Sequence, residues 1–345
     1  MPIAQKNVFY VKYLPDDVFI DVLKSTANVN LTKLENDAPA SVADPVLKSA
    51  HGYQVGAARS EIATHFHVTP ALIARCPNLL VVSSNGAGYD TVDVDACTKA
   101  GILVLNQAGG NAQSVAEHIL GMMLSLSKKI PQADRALRRG ARFERTAFKG
   151  AEVFGKTLGI IGLGHVGTAL TQMCRSALSM KVQAYDPYLD AAKLAARGAV
   201  KVDLGPLLAS SDFVSICCPL TKETRGLFGA KEFAAMQPHA VFITTARGFI
   251  HDEIALAKAL HDGKLAAAGL DVWEEEPPAA DHPLLQLDNV VVSPHTAGIT
   301  NDARLRMARI AAEQLGRTLS GERPERIVNP EVWEHYRRRF AEAFG

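Results

Sequence analysis

The sequence predicts an α/β fold with mostly parallel strands, and three observations predict it. Short apolar runs alternate with helical patterns almost throughout. Between Thr157 and Ser293 the alternation repeats often enough to build a doubly wound sheet. The chain has 345 residues, long for a single hydrophobic core, which favours two domains.

Taken in order, Asn7–Tyr13, Gln54–Ala58 and Leu79–Ser83 read as strands, with helical patterns over Asp17–Thr26 and Pro70–Arg75 between them. They form a smaller α/β unit. Asn111–Lys129 reads as a long helix with apolar residues on much of its surface, suited to crossing between domains. Six strands follow at Thr157–Gly162, Lys181–Asp186, Asp212–Cys217, Ala240–Thr245, Ala267–Asp271 and Val290–Ser293. Helical patterns at Val166–Ala177, Leu204–Ala209, Lys231–Met236 and His251–His261 lie between them, and Asp302–Leu319 carries the chain back to the first unit.

Composition narrows the function classes. The formal net charge is +1, which gives no electrostatic reason to expect nucleic acid or an anionic membrane as partner. The basic stretch Arg135–Arg145 contains Glu144, and Arg337–Arg338–Arg339 is surrounded by Glu331, Glu334 and Glu342, so both read as solvated faces. Met1–Asn7 lacks a charged-then-apolar signal pattern, and the apolar stretch Val115–Leu126 is too short to span a bilayer. Five cysteines without a C-x-x-C read as reduced, packed thiols, and a cytoplasmic location is expected. His65-Phe66-His67 has chelating spacing but no further ligands to complete a set, so no metal is expected. His118, on the crossing helix, reads as a packing residue.

Gly162-Leu163-Gly164-His165-Val166-Gly167 follows a strand and opens a helix. Gly162 permits a tight turn, Gly164 lets a pyrophosphate approach the backbone, and Gly167 allows close helix–strand packing. The N-terminus of the following helix offers N–H groups and partial positive charge to phosphate. Asp186 ends the next strand at the spacing of the acid that holds an adenine ribose, and Pro187-Tyr188 supplies no cation for a 2′-phosphate. NAD is therefore expected rather than NADP.

Three further segments put ionisable residues beyond strand carboxyl ends, where open α/β sheets bind ligands. Arg247 follows Thr245-Ala246, Glu276 lies in the loop after Asp271, and His295 follows Pro294. Reducing a keto acid needs a cation for its carboxylate, a proton donor for its carbonyl oxygen, and a group that orients the donor. Arg247 can grip a carboxylate through parallel N–H donors. His295 can exchange the proton, and Glu276 can hold its tautomer.

These ordered motifs resemble the D-isomer-specific 2-hydroxyacid dehydrogenase family over essentially the whole chain. They are Gly162–Gly167 with Asp186, Cys218-Pro219-Leu220-Thr221 with Thr224, Ala246-Arg247-Gly248, Asp271 through Glu276-Pro277, and Pro294-His295-Thr296-Ala297-Gly298. Thr244 departs from the asparagine that many members carry. The resemblance implies two Rossmann-like domains, a doubly wound NAD domain over residues 107–300 inserted into a smaller flavodoxin-like substrate domain of residues 1–106 and 301–345. It also implies Arg247, Glu276 and His295 as the catalytic set. Cofactor contacts would come from Gly162, Gly164, His165, Val166, Gly167, Asp186, Cys218, Pro219, Thr224, Thr245, Ala246, Asp271, Ala297 and Gly298. Substrate contacts would come from Arg59 and Ser60 and from the glycine-rich turn Asn85, Gly86, Ala87 and Gly88. Members are commonly dimers joined by an arm, which here would be about Ile130–Phe154. The implied activity interconverts a small 2-keto acid and its D-2-hydroxy acid, with hydroxypyruvate or glyoxylate favoured. Two alternatives stay open, a 3-phosphoglycerate dehydrogenase and an NAD-sensing corepressor scaffold of the same fold.

Overall fold

The computed structural model describes residues 5–26, 28–140 and 142–345. Residues 1–4, part of the stretch read for a targeting signal, lie outside them. The chain divides into two compact units, Met1–Asn111 with Ile299–Gly345, and Ala112–Gly298. Among the described residues, no helix is long and apolar enough to cross a membrane.

The first unit is built on five parallel strands: β1 (Lys6–Val11), β2 (Val29–Leu34), β3 (Gly52–Val55), β4 (Val81–Ser84) and β5 (Leu103–Leu105). Their order is β2-β1-β3-β4-β5. Side chains alternate across a strand, so neighbours in sequence feed opposite cores. Phe9, Tyr53, Val82 and Val104 pack on one face. Val8, Val81 and Leu103 pack on the other against Ala308, Ala311, Ala312 and Leu315 of the helix Asn301–Leu319. The small alanines let that helix lie close to the sheet. At the chain end, Arg339 of the helix Trp333–Phe344 donates to the carbonyls of Leu79 (2.8 Å) and Ala100 (3.1 Å), pinning the helix by satisfying backbone acceptors.

Three departures from the sequence reading have local causes. β3 begins two residues before the expected Gln54 and stops at Val55, because Gly56 turns the chain where a Cβ would come within 2.9 Å of the Glu61 carboxylate. β2, an edge strand, carries the adjacent polar pair Thr32-Lys33 and buries only Leu34, so it has neither a continuous apolar run nor a clean alternation. β5 is only three residues long.

The second unit holds seven parallel strands: β6 (Thr157–Ile161), β7 (Lys181–Tyr185), β8 (Val200–Lys201), β9 (Phe213–Ile216), β10 (Val241–Thr244), β11 (Ala267–Leu270) and β12 (Val290–Val292). The two-residue β8 adds one strand to the six expected. The order is β12-β11-β10-β9-β6-β7-β8. From β6 the chain runs outward through β7 and β8, then returns to the other side of β6 as β9. That reversal is a topological switch point, and a ligand crevice opens at the carboxyl ends of the strands there. Both faces are covered, with Ile160 and Ile243 in one core and Ile161 and Phe242 in the other. This explains the continuous apolar runs that made these strands readable. The helix Ala112–Ser127 buries Ala116, Ile119 and Met123 in the first of these cores.

One buried titratable residue links this core to pH. His251 is 1% exposed, with its ring 5.6 Å from Phe242 and no hydrogen-bond partner for either ring nitrogen among the described residues. Burial pulls its pKa from 6.5 down to about 4, against the smaller opposing effect of Asp252. The unfolded chain therefore takes up this proton at higher pH than the folded chain. The stability contribution is complete above pH ~6.5 and is lost as pH falls toward about 4, with a loss on the order of 3 kcal/mol. Thermal unfolding followed between pH 7 and 4 should show Tm falling more steeply in the wild type than in His251→Leu. Parallel slopes would remove His251 from the account.

Candidate active site

The glycine loop joins β6 to the helix His165–Leu178. Gly162 has φ +86°, and a Cβ there would lie 2.8 Å from the Cys218 backbone, so the turn and the segment after β9 touch. A Cβ on Gly167 would lie 2.8 Å from the Gly162 carbonyl oxygen, which is the close helix–strand contact expected from the motif. Gly164 differs: a Cβ would meet nothing within 4 Å, and Gly164 caps the helix with no side-chain hydrogen bond. Open space over an uncapped helix N-terminus is what an incoming pyrophosphate requires, and His165 and Val166 form the first turn beneath it. Asp186 accepts the Leu163 N–H (3.0 Å) on one oxygen and the Tyr188 N–H (3.0 Å) on the other, which aims the carboxylate beside the loop. Thr224 Oγ1 donates to the Pro219 carbonyl (2.6 Å) and accepts the Thr221 N–H (2.8 Å), folding the Cys218-Pro219 turn. Burial pushes the Cys217 and Cys218 thiols up to about 12 and 11, so neither is a nucleophile at neutral pH. These residues fit a dinucleotide.

Arg247, Glu276 and His295 converge beyond β10, β11 and β12. His295 Nδ1 lies 2.9 and 3.1 Å from the two Glu276 oxygens. A carboxylate can only accept, so Nδ1 carries the proton and Nε2 is left as the atom that gains or loses one. Burial raises the pKa of Glu276. The hydrogen bond and charge of His295, the Trp273 N–H and the charge of Arg247 together outweigh it and hold the carboxyl below its ordinary value. Arg247 donates to the Ala246 carbonyl (2.6 Å). Its loop fits against that of Glu276 only because residue 248 is glycine: a Cβ there would sit 2.0 Å from the Trp273 carbonyl oxygen. Thr245, beside Ala246 at this strand end, is buried.

The backbone of His295 is in the left-handed region at φ +56°. For a residue other than glycine this costs about 1–3 kcal/mol and persists only where the surroundings over-determine it. Asp271 supplies the determination. Its carbonyl accepts the His295 N–H (2.7 Å), while its carboxylate accepts the Thr296 N–H (2.8 Å) and the Ala297 N–H (2.9 Å). The Asp271 carboxylate also accepts the Ser293 hydroxyl (2.5 Å). Asp271 was read from the sequence as a cofactor contact; its place as the clamp on residues 293–297 was not. Gly298 follows the clamped turn. His118, read as a packing residue, lies with Nε2 2.9 Å from Ser293 Oγ.

The expected substrate contacts lie in the first unit. The Gly86 carbonyl accepts the Gln107 N–H (2.8 Å), the Ala87 carbonyl the Asn106 side chain (2.9 Å), and the Gly88 carbonyl the Ser84 hydroxyl (2.5 Å). In a trans peptide each tied carbonyl turns the next N–H the opposite way. These hydrogen bonds tie three successive carbonyls and fix the course of the loop. Asn85 receives a hydrogen bond from Gln54 (2.5 Å). Arg59 and Ser60 are exposed, with Arg59 Nε donating to the Asp90 carbonyl (3.2 Å).

Because Gly164 is open in the fold, Gly164→Val should leave Tm unchanged and weaken NADH binding at least about tenfold, as read by nucleotide fluorescence titration. Wild-type affinity in the variant would place the pyrophosphate elsewhere.

Comparison with known proteins agrees with this fold. The sequence pattern of the D-isomer specific 2-hydroxyacid dehydrogenase NAD binding domain matches residues 120–297. The chain is 44% identical to a D-3-phosphoglycerate dehydrogenase of Archaeoglobus fulgidus over 262 residues, covering 76% of this chain and 49% of the relative. It thus spans about half the length of that curated relative. It is 34% identical over 328 residues to glyoxylate/hydroxypyruvate reductase B of Salmonella typhi, covering 94% of this chain and 98% of the other. The D-lactate dehydrogenase of Aquifex aeolicus, solved with NAD and lactic acid, superposes with a TM-score of 0.77 at 28% identity, covering 92% and 96% of the two chains. With the glycine loop, the seven-stranded sheet and the His295–Glu276 pair in place, the chain belongs to the D-isomer specific 2-hydroxyacid dehydrogenase family.

Proposed function

We propose that the protein is an NAD-dependent oxidoreductase that interconverts a small 2-keto acid and its D-2-hydroxy acid, with hydroxypyruvate or glyoxylate as the favoured substrate class. The observation that carries this reading is the His295–Glu276 pair, which leaves Nε2 as the proton-exchanging atom behind a dinucleotide loop. Arg247 binds the substrate carboxylate and steadies the carbonyl oxygen. His295 Nε2 delivers a proton to that oxygen in reduction and removes it in oxidation. Glu276, held as an anion, keeps the other ring nitrogen protonated. The dinucleotide, when bound at the glycine loop, would supply the hydride to C2 as NADH or accept it from C2 as NAD⁺. Asp186 favours NAD, since its carboxylate would repel a 2′-phosphate. Likeness to glyoxylate/hydroxypyruvate reductase B over nearly the full length of both chains supports the substrate class.

A phosphorylated substrate is the second reading, favoured by the exposed Arg59 beside the Gly86–Gly88 loop. Five unpaired cysteines fit a reducing compartment, and the cytoplasm is the location this reading assigns. A homodimer is assigned through the segment around residues 130–154. The helix Ile130–Arg138 buries none of its residues, and Leu137 and Phe154 are more than half exposed.

NADH oxidation should be measured with glyoxylate, hydroxypyruvate, pyruvate and 3-phosphohydroxypyruvate. Fast turnover of glyoxylate or hydroxypyruvate is expected, with kcat reduced about 10²–10⁴-fold in His295→Gln. Preference for the phosphorylated acid would select the second reading. Tight NADH binding with no turnover would select an NAD-sensing scaffold. The pH profiles of reduction and oxidation should run in opposite senses, because one consumes protonated and the other neutral His295; parallel profiles contradict the assignment. Light scattering should give a dimer for the wild type and a monomer for the double variant Leu137→Glu, Phe154→Ser. An unchanged dimer would move the interface elsewhere.

A further inference from the structure

His118 stands on the helix Ala112–Ser127, with its side chain 28% exposed. Its Nε2 lies 2.9 Å from Ser293 Oγ and 3.8 Å from Asp271 Oδ1. Ser293 Oγ in turn lies 2.5 Å from Asp271 Oδ1. The direction of these bonds follows from counting protons. Asp271 already accepts backbone N–H groups on both oxygens and, as a carboxylate, has no proton to give. The single Ser293 hydroxyl proton therefore goes to Asp271. Ser293 Oγ is left as an acceptor, and His118 donates to it from Nε2. The chain of donors runs from His118 through Ser293 to Asp271.

The chain ends on the group that holds His295 in place. One Asp271 oxygen accepts Thr296 N–H and the other Ala297 N–H, so both bonds survive only at one setting of the carboxylate plane. Ser293 is itself tethered through its backbone: its N–H donates to Leu270 (2.9 Å) and its carbonyl accepts Trp273 Nε1 (3.2 Å). What the backbone leaves open is the setting of the hydroxyl, and His118 selects it. The histidine comes from a helix whose Ile119 and Met123 are fully buried, so the selection is made by rigid scaffold.

We propose that His118 is a positioning residue for His295. Through Ser293 it sets the Asp271 carboxylate, and so holds residues 293–297 in the conformation that brings the His295 ring to Glu276. This rests on the acid–base role proposed above for His295. His118 touches neither reacting atom, and a simple packing role would make it replaceable by any apolar side chain of similar size.

The test uses the full chain without added nucleotide as well as the turning-over enzyme. His295 imidazole resonances are assigned by their loss in His295→Gln. His118→Leu and Ser293→Ala should each shift those resonances, and each should lower kcat about tenfold or more with the keto-acid KM little changed. The double variant should be no worse than either single change, because both break one chain. His118→Gln, which returns an N–H donor near the Nε2 position, should restore resonances and kcat toward wild type. Unmoved His295 resonances in both His118→Leu and Ser293→Ala, additive losses in the double variant, or a Gln variant as impaired as Leu would each overturn the proposal. Should the wild type turn over no acid, the function proposed for His295 falls, and the resonances alone decide the positioning.

Discussion

The site depends on one buried carboxylate. Asp271 directly follows β11, and with its carbonyl and carboxylate it gathers three consecutive backbone N–H groups, those of His295, Thr296 and Ala297. That clamp fixes the backbone of a histidine at φ +56°, a conformation that an unconstrained L-residue leaves. The strain has a use. It swings the ring of His295 onto both oxygens of Glu276, two strand ends having been drawn together by hydrogen bonds to a third residue. The geometry thereby assigns the proton to Nδ1 and leaves Nε2 free of Glu276, the preorganisation that the acid–base role proposed for His295 needs.

The same logic recurs wherever loops meet at the carboxyl edge of the second unit. Gly162 and Gly248 are required less for flexibility than for proximity: one lets the turn after β6 lie on Cys218, the other lets the Arg247 loop lie on Trp273. Gly164 is the contrasting case, a glycine with empty space above it, kept open toward the face where a phosphate would sit. In the first unit, side chains of Ser84 and Asn106 and the backbone of Gln107 hold successive carbonyls of the Gly86–Gly88 loop, so the loop's course is fixed by hydrogen bonds to its own backbone.

Much of this was legible in the sequence, for physical reasons that can be named. The strands of the second unit are buried on both faces and so read as unbroken apolar runs, and the glycine loop announces itself because backbone proximity tolerates few substitutes. Arg247, Glu276 and His295 were readable from their order behind strand ends. What escaped was either weakly patterned or non-local. The edge strand Val29–Leu34 buries only Leu34 and breaks its alternation at Thr32-Lys33, Leu103–Leu105 and Val200–Lys201 are too short to signal, and Gly56 ends a strand expected to run through it. Asp271 was read only as a cofactor contact, since nothing at its position reveals which backbone groups fold back onto it. His118 and Ser293 are 175 residues apart in sequence, and no local pattern carries their hydrogen bond.

The most direct test of this account is the structure of Asp271→Asn at atomic detail. The carboxamide keeps the shape of the side chain but presents N–H where one oxygen stood, so one backbone donor of residues 296–297 must face another donor. The account predicts that residues 293–297 rearrange, that His295 leaves the left-handed region, and that its ring moves out of hydrogen-bond reach of Glu276. A variant in which the turn and the His295–Glu276 pair are superimposable on the wild type would show that the carboxylate does not hold the site, and the central claim would fail.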